Sequence, residues 1–135
     1  MSRSHRQIAQ DFFTALSRGD LRDELFTDDA SIWTNSSGAA EKAKYQGAVK
    51  LLQSLFEGGL GYTVDSLTAE DDRVAAEVRG RGTLKNGNYY SNTYVFILRI
   101  RDERIAAVAE HCNTVVVREM IMPLLLAAMK TGAHG

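Results

Sequence analysis

The sequence predicts an α+β fold in which N-terminal helices pack on a strongly curved sheet of mixed or antiparallel strands that encloses a pocket. In the first half, Ile8, Phe12 and Leu16 recur at i, i+4 and i+8 with Ala9 and Phe13 beside them, which is one apolar stripe of a helix. In the second half the pattern changes to alternation, in Val74–Leu84, Tyr89–Ile100 and Ile105–Val117, and Asn86-Gly87 between the first two runs is a hairpin signal. A chain of 135 residues reads as a single domain, 1–135, long enough to bury roughly two-thirds of its unfolded surface without disulfides or metals.

The elements follow in order. The first helix is capped near Ser4 and stopped by Gly19. Asp20 is expected to cap a short second helix carrying Leu21, Leu25 and Phe26. Ala30–Thr34 reads as a short strand and 35–38 as a turn. Gln46–Glu57 is a further helix with Val49, Leu52, Leu55 and Phe56 on one face, ended by Gly58-Gly59. Tyr62–Thr68 is a strand, and Asp71-Asp72 turns the chain into the next. Beyond the last strand, Met120, Leu124 and Ala127/Ala128 fall near helical spacing, with Pro123 kinking or restarting the helix. This C-terminal segment is expected to cover the pocket or to pack on a second subunit.

The hydrophobic pattern also chooses a register. A three-residue loop at Lys85-Asn86-Gly87 sets Val74 against Leu98, Ala76 against Phe96 and Val78 against Tyr94, and leaves Glu77, Arg79 and Arg81 on the other face. Gly80 and Gly82 then lie opposite Asn92 and Tyr90, where they either leave open volume above the sheet or allow it to bend; open volume is the preferred reading. At the next turn, a three-residue loop of Arg101–Glu103 directs Val108, Glu110 and Cys112 to the pocket face. A two-residue loop directs Ala107, Ala109, His111 and Asn113 there instead. Val108, the stronger apolar residue, favours the first.

Composition narrows the function. The chain is 44% hydrophobic and 24% charged, with 16 basic and 17 acidic residues and a net charge of −1. No basic stripe is available to neutralise phosphates, so no nucleic-acid partner is expected. The longest apolar run, Met120–Met129, is too short to span a bilayer, so no membrane partner is expected either. With no apolar leader segment and a single cysteine, Cys112, a cytoplasmic location is expected. No His/Asp/Glu pair has ligand spacing, so no metal and no other cofactor is expected.

Glu110 is the leading acid–base candidate. Turned inward among apolar residues it would be desolvated, and its pKa raised into the range useful for proton transfer. Turned outward it would be solvated, or paired with Arg99 or Arg104. Tyr94 and Asn92 share a strand face, where both could donate to a carbonyl or enolate oxygen; a satisfied core tyrosine and a structural asparagine is the plainer alternative. Phe12, Leu16, Trp33, Leu55, Val78, Phe96, Val108 and Cys112 are the expected lining for a small apolar molecule, with Trp33 equally suited to plain core. His111 replaces Glu110 in the alternative register. His5 and His134 carry no signal.

The run DFFTALSRGD at Asp11–Asp20, the run LFTDDASIW at Leu25–Trp33 and the alternating second half, in this order, resemble the cone-shaped nuclear transport factor 2 and ketosteroid isomerase superfamily over roughly Ile8–Thr114. The nearest general likeness is to the SnoaL-like group, which includes polyketide cyclases. The resemblance implies a pocket between sheet and helices, and a homodimer through the outer sheet face, where Val95 and Ile97 lie. The isomerase base position is occupied by Thr34 and the oxyanion tyrosine by Phe12, so the isomerase mechanism is not implied. Against the epoxide hydrolase template the matching positions are Asn92, Tyr94 and Glu110, of which only the last is acidic. The cyclase template asks for one acidic group in an apolar cavity, which Glu110 would supply while Tyr94 and Asn92 hold a carbonyl. A non-catalytic binding or dimerisation module of the same fold is the alternative function.

Overall fold

The structure, a computed structural model, describes residues 3–133; His134 lies outside them. Helix α1 spans His5–Arg18, with Ser4 Oγ accepting the Gln7 N–H at 3.1 Å at its start and Gly19 in the left-handed region (φ 65°) at its end. The expected stripe is its buried face: Ile8, Ala9, Phe12, Phe13 and Leu16. Asp20 does not open a second helix. Only a 3₁₀ turn forms, at Asp23–Leu25, and Phe26 already begins strand β1, Phe26–Thr34. Tertiary pairing overrides local propensity here: Phe26 is fully buried against Phe12 and pairs with Ile105.

A short strand β2, Gly38–Ala40, returns on β1. Helix α2, Lys42–Ser54, begins one turn earlier than expected because Tyr45 belongs to the same buried stripe as Val49, at i and i+4. It ends at Leu55, and Gly58 and Gly59 do not cap it. They sit with φ of 72° and 93° inside strand β3, Phe56–Glu70, where the pairing register shifts between Glu57 and Gly61. Strands β4 (Arg73–Leu84), β5 (Tyr89–Arg101) and β6 (Arg104–Cys112) complete a six-stranded sheet in the order β2-β1-β6-β5-β4-β3. Only β1 and β6 are parallel, so the sheet is mixed, and it does not close on itself.

The central hairpin has the expected register, with Val74 opposite Leu98, Val78 opposite Tyr94 and Gly80 opposite Asn92. The β5–β6 turn is the two-residue one: Arg101 pairs with Arg104, and Asp102 and Glu103 carry φ of 54° and 59°. The next pairs are Ile100 with Ile105 and Arg99 with Ala107, so Ala106 is an extra residue. This bulge reverses the parity, and Val108, Glu110 and Cys112 face inward although the loop is not the one that was to place them there. Their partners are Leu98, Phe96 and Tyr94.

The two glycines of β4 do not leave a hollow. A Cβ on Gly80 would lie 2.8 Å from Tyr94 Cε1, and one on Gly82 would lie 2.8 Å from Phe56 Cδ2. Aromatic rings occupy the volume that the missing side chains vacate. The main core joins the α1 face to Val74, Ala76, Phe96, Leu98 and Val108, with Phe13 and Phe96 edge to face at 5.1 Å.

Strand β6 stops at Cys112, short of the expected Val117. Asn113 accepts the Val115 N–H through Oδ1 at 3.1 Å and starts a helical segment: α3 (Thr114–Val116), a π-helical turn (Val117–Ile121) and α4 (Met122–Ala133). Pro123, with no N–H for the helical ladder, follows the π turn at the start of α4. Ile121 is buried in a second cluster with Phe56, Leu60, Leu84 and Tyr90. Among the described residues, no helix is long and apolar enough to cross a membrane.

Gly80→Ala is expected to destabilise the protein by about 1–3 kcal/mol, because the new methyl overpacks the Tyr94 ring. A lowered urea midpoint at unchanged m-value checks this; an unchanged midpoint means the ring moves aside without cost.

Candidate functional site

With its parity reversed at Ala106, β6 presents Glu110 on the inner face, opposite Phe96 of β5 and Thr34 of β1. His111 is therefore on the outer face. Its ring lies 5.0 Å from that of Trp33, which pairs with Ala109 and is 40% exposed. Trp33 and Glu110 are thus on opposite sides of the sheet.

Glu110 is half-buried, and no arginine pairs with it among the described residues. Arg99 pairs with Asp72 at 3.3 Å instead. Glu110 Oε1 accepts a hydrogen bond from Tyr45 Oη at 2.9 Å, and no described residue donates to Oε2. Burial pushes the carboxyl up to about 7, opposed by the Tyr45 hydrogen bond. The Tyr45 hydroxyl is raised well above its ordinary range, by its own burial first and then by the charge on Glu110. Helix α2 is tied down at both ends. Gln46 Nε2 donates to Leu21 O at 2.7 Å; Gln53 Nε2 donates to Leu16 O at 3.1 Å and Leu60 O at 2.9 Å.

Beside the carboxyl lies a tyrosine cluster. Tyr90 Oη and Tyr94 Oη are 2.5 Å apart, and the Tyr62 and Tyr94 ring centroids are 5.6 Å apart. Burial holds the hydroxyls of all three above their ordinary values, so they remain protonated donors. Asn92 supports this cluster from behind. Its Nδ2 donates to Tyr90 Oη at 3.0 Å and to Asn113 O at 3.2 Å, and its Oδ1 accepts from the N–H groups of Thr93 and Asn113 at 2.8 and 3.2 Å. The Asn92 amide is thus engaged within the protein. Cys112 lies opposite Tyr94; its backbone exchanges hydrogen bonds with the Asn35 side chain at 3.0 and 3.1 Å. Burial and the Glu110 charge push its thiol up to about 11, which keeps it protonated. The Thr34 hydroxyl is taken up by Ser37 at 2.7 Å.

The residues expected to line a pocket separate into three groups. Phe12, Leu16, Val78, Phe96 and Val108 are all closed into the main core. Leu55 packs against the second cluster, and Cys112 borders the main one. Trp33 is on the outer face against His111, which borders a depression of about 510 Å³ lined also by Asp65, Glu77, Arg79, Thr93 and Val95. Sequence reasoning does not single out Tyr45, Tyr62 or Tyr90 as site residues. The spacing of Tyr45 from Val49 was the available signal for the first, and the strand parity of Tyr90, Asn92 and Tyr94 for the last. Among the described residues, no group of three or more His, Cys, Asp or Glu side chains is placed to hold a metal ion.

Several solved structures share this fold. IdmH from Streptomyces antibioticus, described as a putative polyketide cyclase, is 22% identical, with 82% of this chain and 93% of that chain aligned at a TM-score of 0.73. AclR from Streptomyces galilaeus, described as a putative hydroxylase, is 20% identical over 96% and 92% of the two chains, also at 0.73. An epoxide hydrolase of the limonene epoxide hydrolase-like type from M. tuberculosis is 13% identical over 93% and 94%, at 0.69. Among curated protein sequences nothing matches. The family model of the SnoaL-like domain matches residues 9–108, from Ala9 in α1 to Val108 in β6, and the chain belongs to the SnoaL-like domain family.

Proposed function

We propose that the protein is a cofactor-independent enzyme of the isomerase or cyclase type, acting by proton transfer on a small, apolar, carbonyl-containing molecule, with Glu110 as acid and base. One observation carries this reading: an inward carboxyl on an apolar sheet face, with one oxygen held by Tyr45 and, among the described residues, no cation beside it and no donor to the other oxygen. Near neutral pH such a group is present in both protonation states, as a group that takes a proton from carbon and returns it must be. Tyr94 would donate to the substrate oxygen as charge develops there. Asn92, whose amide is already engaged, would act on that oxygen through Tyr90 and Tyr94. The apolar walls are closed together, so a ligand would enter by parting the rings over Gly80 and Gly82.

The closed core also supports a second reading, a non-catalytic binding or dimerisation module. On either reading the outer face is the proposed homodimer surface, because Trp33 and Val95 are 40% and 41% exposed there. Val95→Lys is expected to convert a dimer to a monomer in sedimentation analysis; a wild type already monomeric at the same concentration overturns the dimer.

Glu110→Gln is expected to lose at least about 100-fold in turnover while ligand affinity and fold persist. A binding module has no turnover to lose. Stability supplies an independent check. Glu110 titrates near its ordinary 4.5 when unfolded and at about 7 when folded. Its contribution is absent below both values and becomes destabilising as pH rises from 4.5 to 7. Glu110→Gln should therefore match wild type at pH 4 and exceed it by on the order of 3 kcal/mol at pH 8. Parallel stability curves for the two proteins across this range would mean that Glu110 is solvated.

A further inference from the structure

We infer that Tyr45 is the positioning residue of the Glu110 carboxyl: its hydroxyl holds Oε1, so that only Oε2 exchanges protons with a ligand. The name of the exchange as catalysis rests on the function proposed above; the hydrogen bond and its effect on Glu110 do not.

The two residues belong to different layers. Glu110 stands on β6, and Tyr45 descends from the first turn and a half of α2, where its ring is 6% exposed. The position of Oη is set by α2, and α2 is set by Gln46 and Gln53, whose side chains grip the backbone of residues 16, 21 and 60. Nothing in that support passes through a ligand. A glutamate has three rotatable bonds, and the groups beneath this one give it no polar anchor: Phe96 is apolar and the Thr34 hydroxyl is committed to the 34–37 turn. The 2.9 Å bond from Tyr45 is the only hydrogen bond the carboxyl receives among the described residues. One donor on one oxygen makes the two oxygens inequivalent. Oε1 accepts a charge-assisted bond that is strongest in the ionised state, and the proton of the neutral state is left to Oε2.

The arrangement has a direction. A donor to the ionised form favours ionisation, so Tyr45 opposes the effect of burial. Without the hydroxyl the carboxyl would hold its proton to higher pH and rotate more freely. Tyr45→Phe removes the oxygen and keeps the ring.

The test is ¹³C NMR of side-chain-labelled glutamate over pH 4–9, with the Glu110→Gln spectrum identifying the resonance. The Glu110 midpoint should rise by roughly one unit in Tyr45→Phe. In the unsubstituted protein the Tyr45 ¹³Cζ shift should titrate with the same midpoint as Glu110, which requires no variant to fold. Where turnover is found, the pH–rate limb governed by Glu110 should move with its midpoint, and KM should change less than kcat. A flat Tyr45 ¹³Cζ shift, or a Glu110 midpoint identical in the folded variant and the wild type, overturns the inference. A shifted midpoint in a protein with no turnover leaves the positioning intact and removes the catalytic reading alone.

Discussion

The single unpaired residue between Ile105 and Ala107 sets the face that every later side chain of β6 takes. In a strand of period two, one inserted residue moves each side chain to the opposite side. Without it, His111 would stand under the helices and Glu110 would join the solvated outer face. Val108 supplies the restoring force, because it is buried only in the bulged register and lies there against Leu98. A hydrophobic contact two residues away thus decides where the carboxyl sits.

That placement has an energetic cost. A carboxyl beside Phe96, with no cation paired to it among the described residues, is held up to about 7 by burial and would keep its proton to still higher pH without the Tyr45 hydroxyl. The neighbouring tyrosines are shifted in the same direction, by burial first and by the Glu110 charge after it, and each keeps its proton more firmly. The inner face therefore holds one group poised to titrate among several that are fixed as donors. Separation of this kind, produced by environment alone, is how one fold assigns acid–base roles to similar polar side chains.

Much of this was legible in the sequence where pattern and turn chemistry agree. Asn86-Gly87 and the alternation on either side of it specify the hairpin pairing residue by residue, and the stripe from Ile8 to Leu16 specifies α1. Glu110 was placed on the correct face by the demand that Val108 be buried, although the loop itself, with two residues of positive φ at Asp102 and Glu103, is a different one. What was not legible depends on contacts distant in sequence. Phe26 reads as helical until Ile105 pairs with it, and the end of α2 at Leu55 depends on β3 beginning at Phe56. The glycines of β4 announced space, and local sequence could not say that Tyr94 and Phe56 fill it.

The parallel pairing of β1 with β6 joins segments separated by most of the chain, whereas β3 to β6 are consecutive antiparallel neighbours. In folding terms, the meander closes short loops and the β1 contact closes the long one, which by loop-closure entropy places β1 among the last elements to dock and the first to peel. Thr34 is the residue beside Glu110 on that strand. Peeling of β1 would admit water to the carboxyl from its own side of the sheet, so the opening of that strand and the ionisation of Glu110 draw on the same backbone hydrogen bonds.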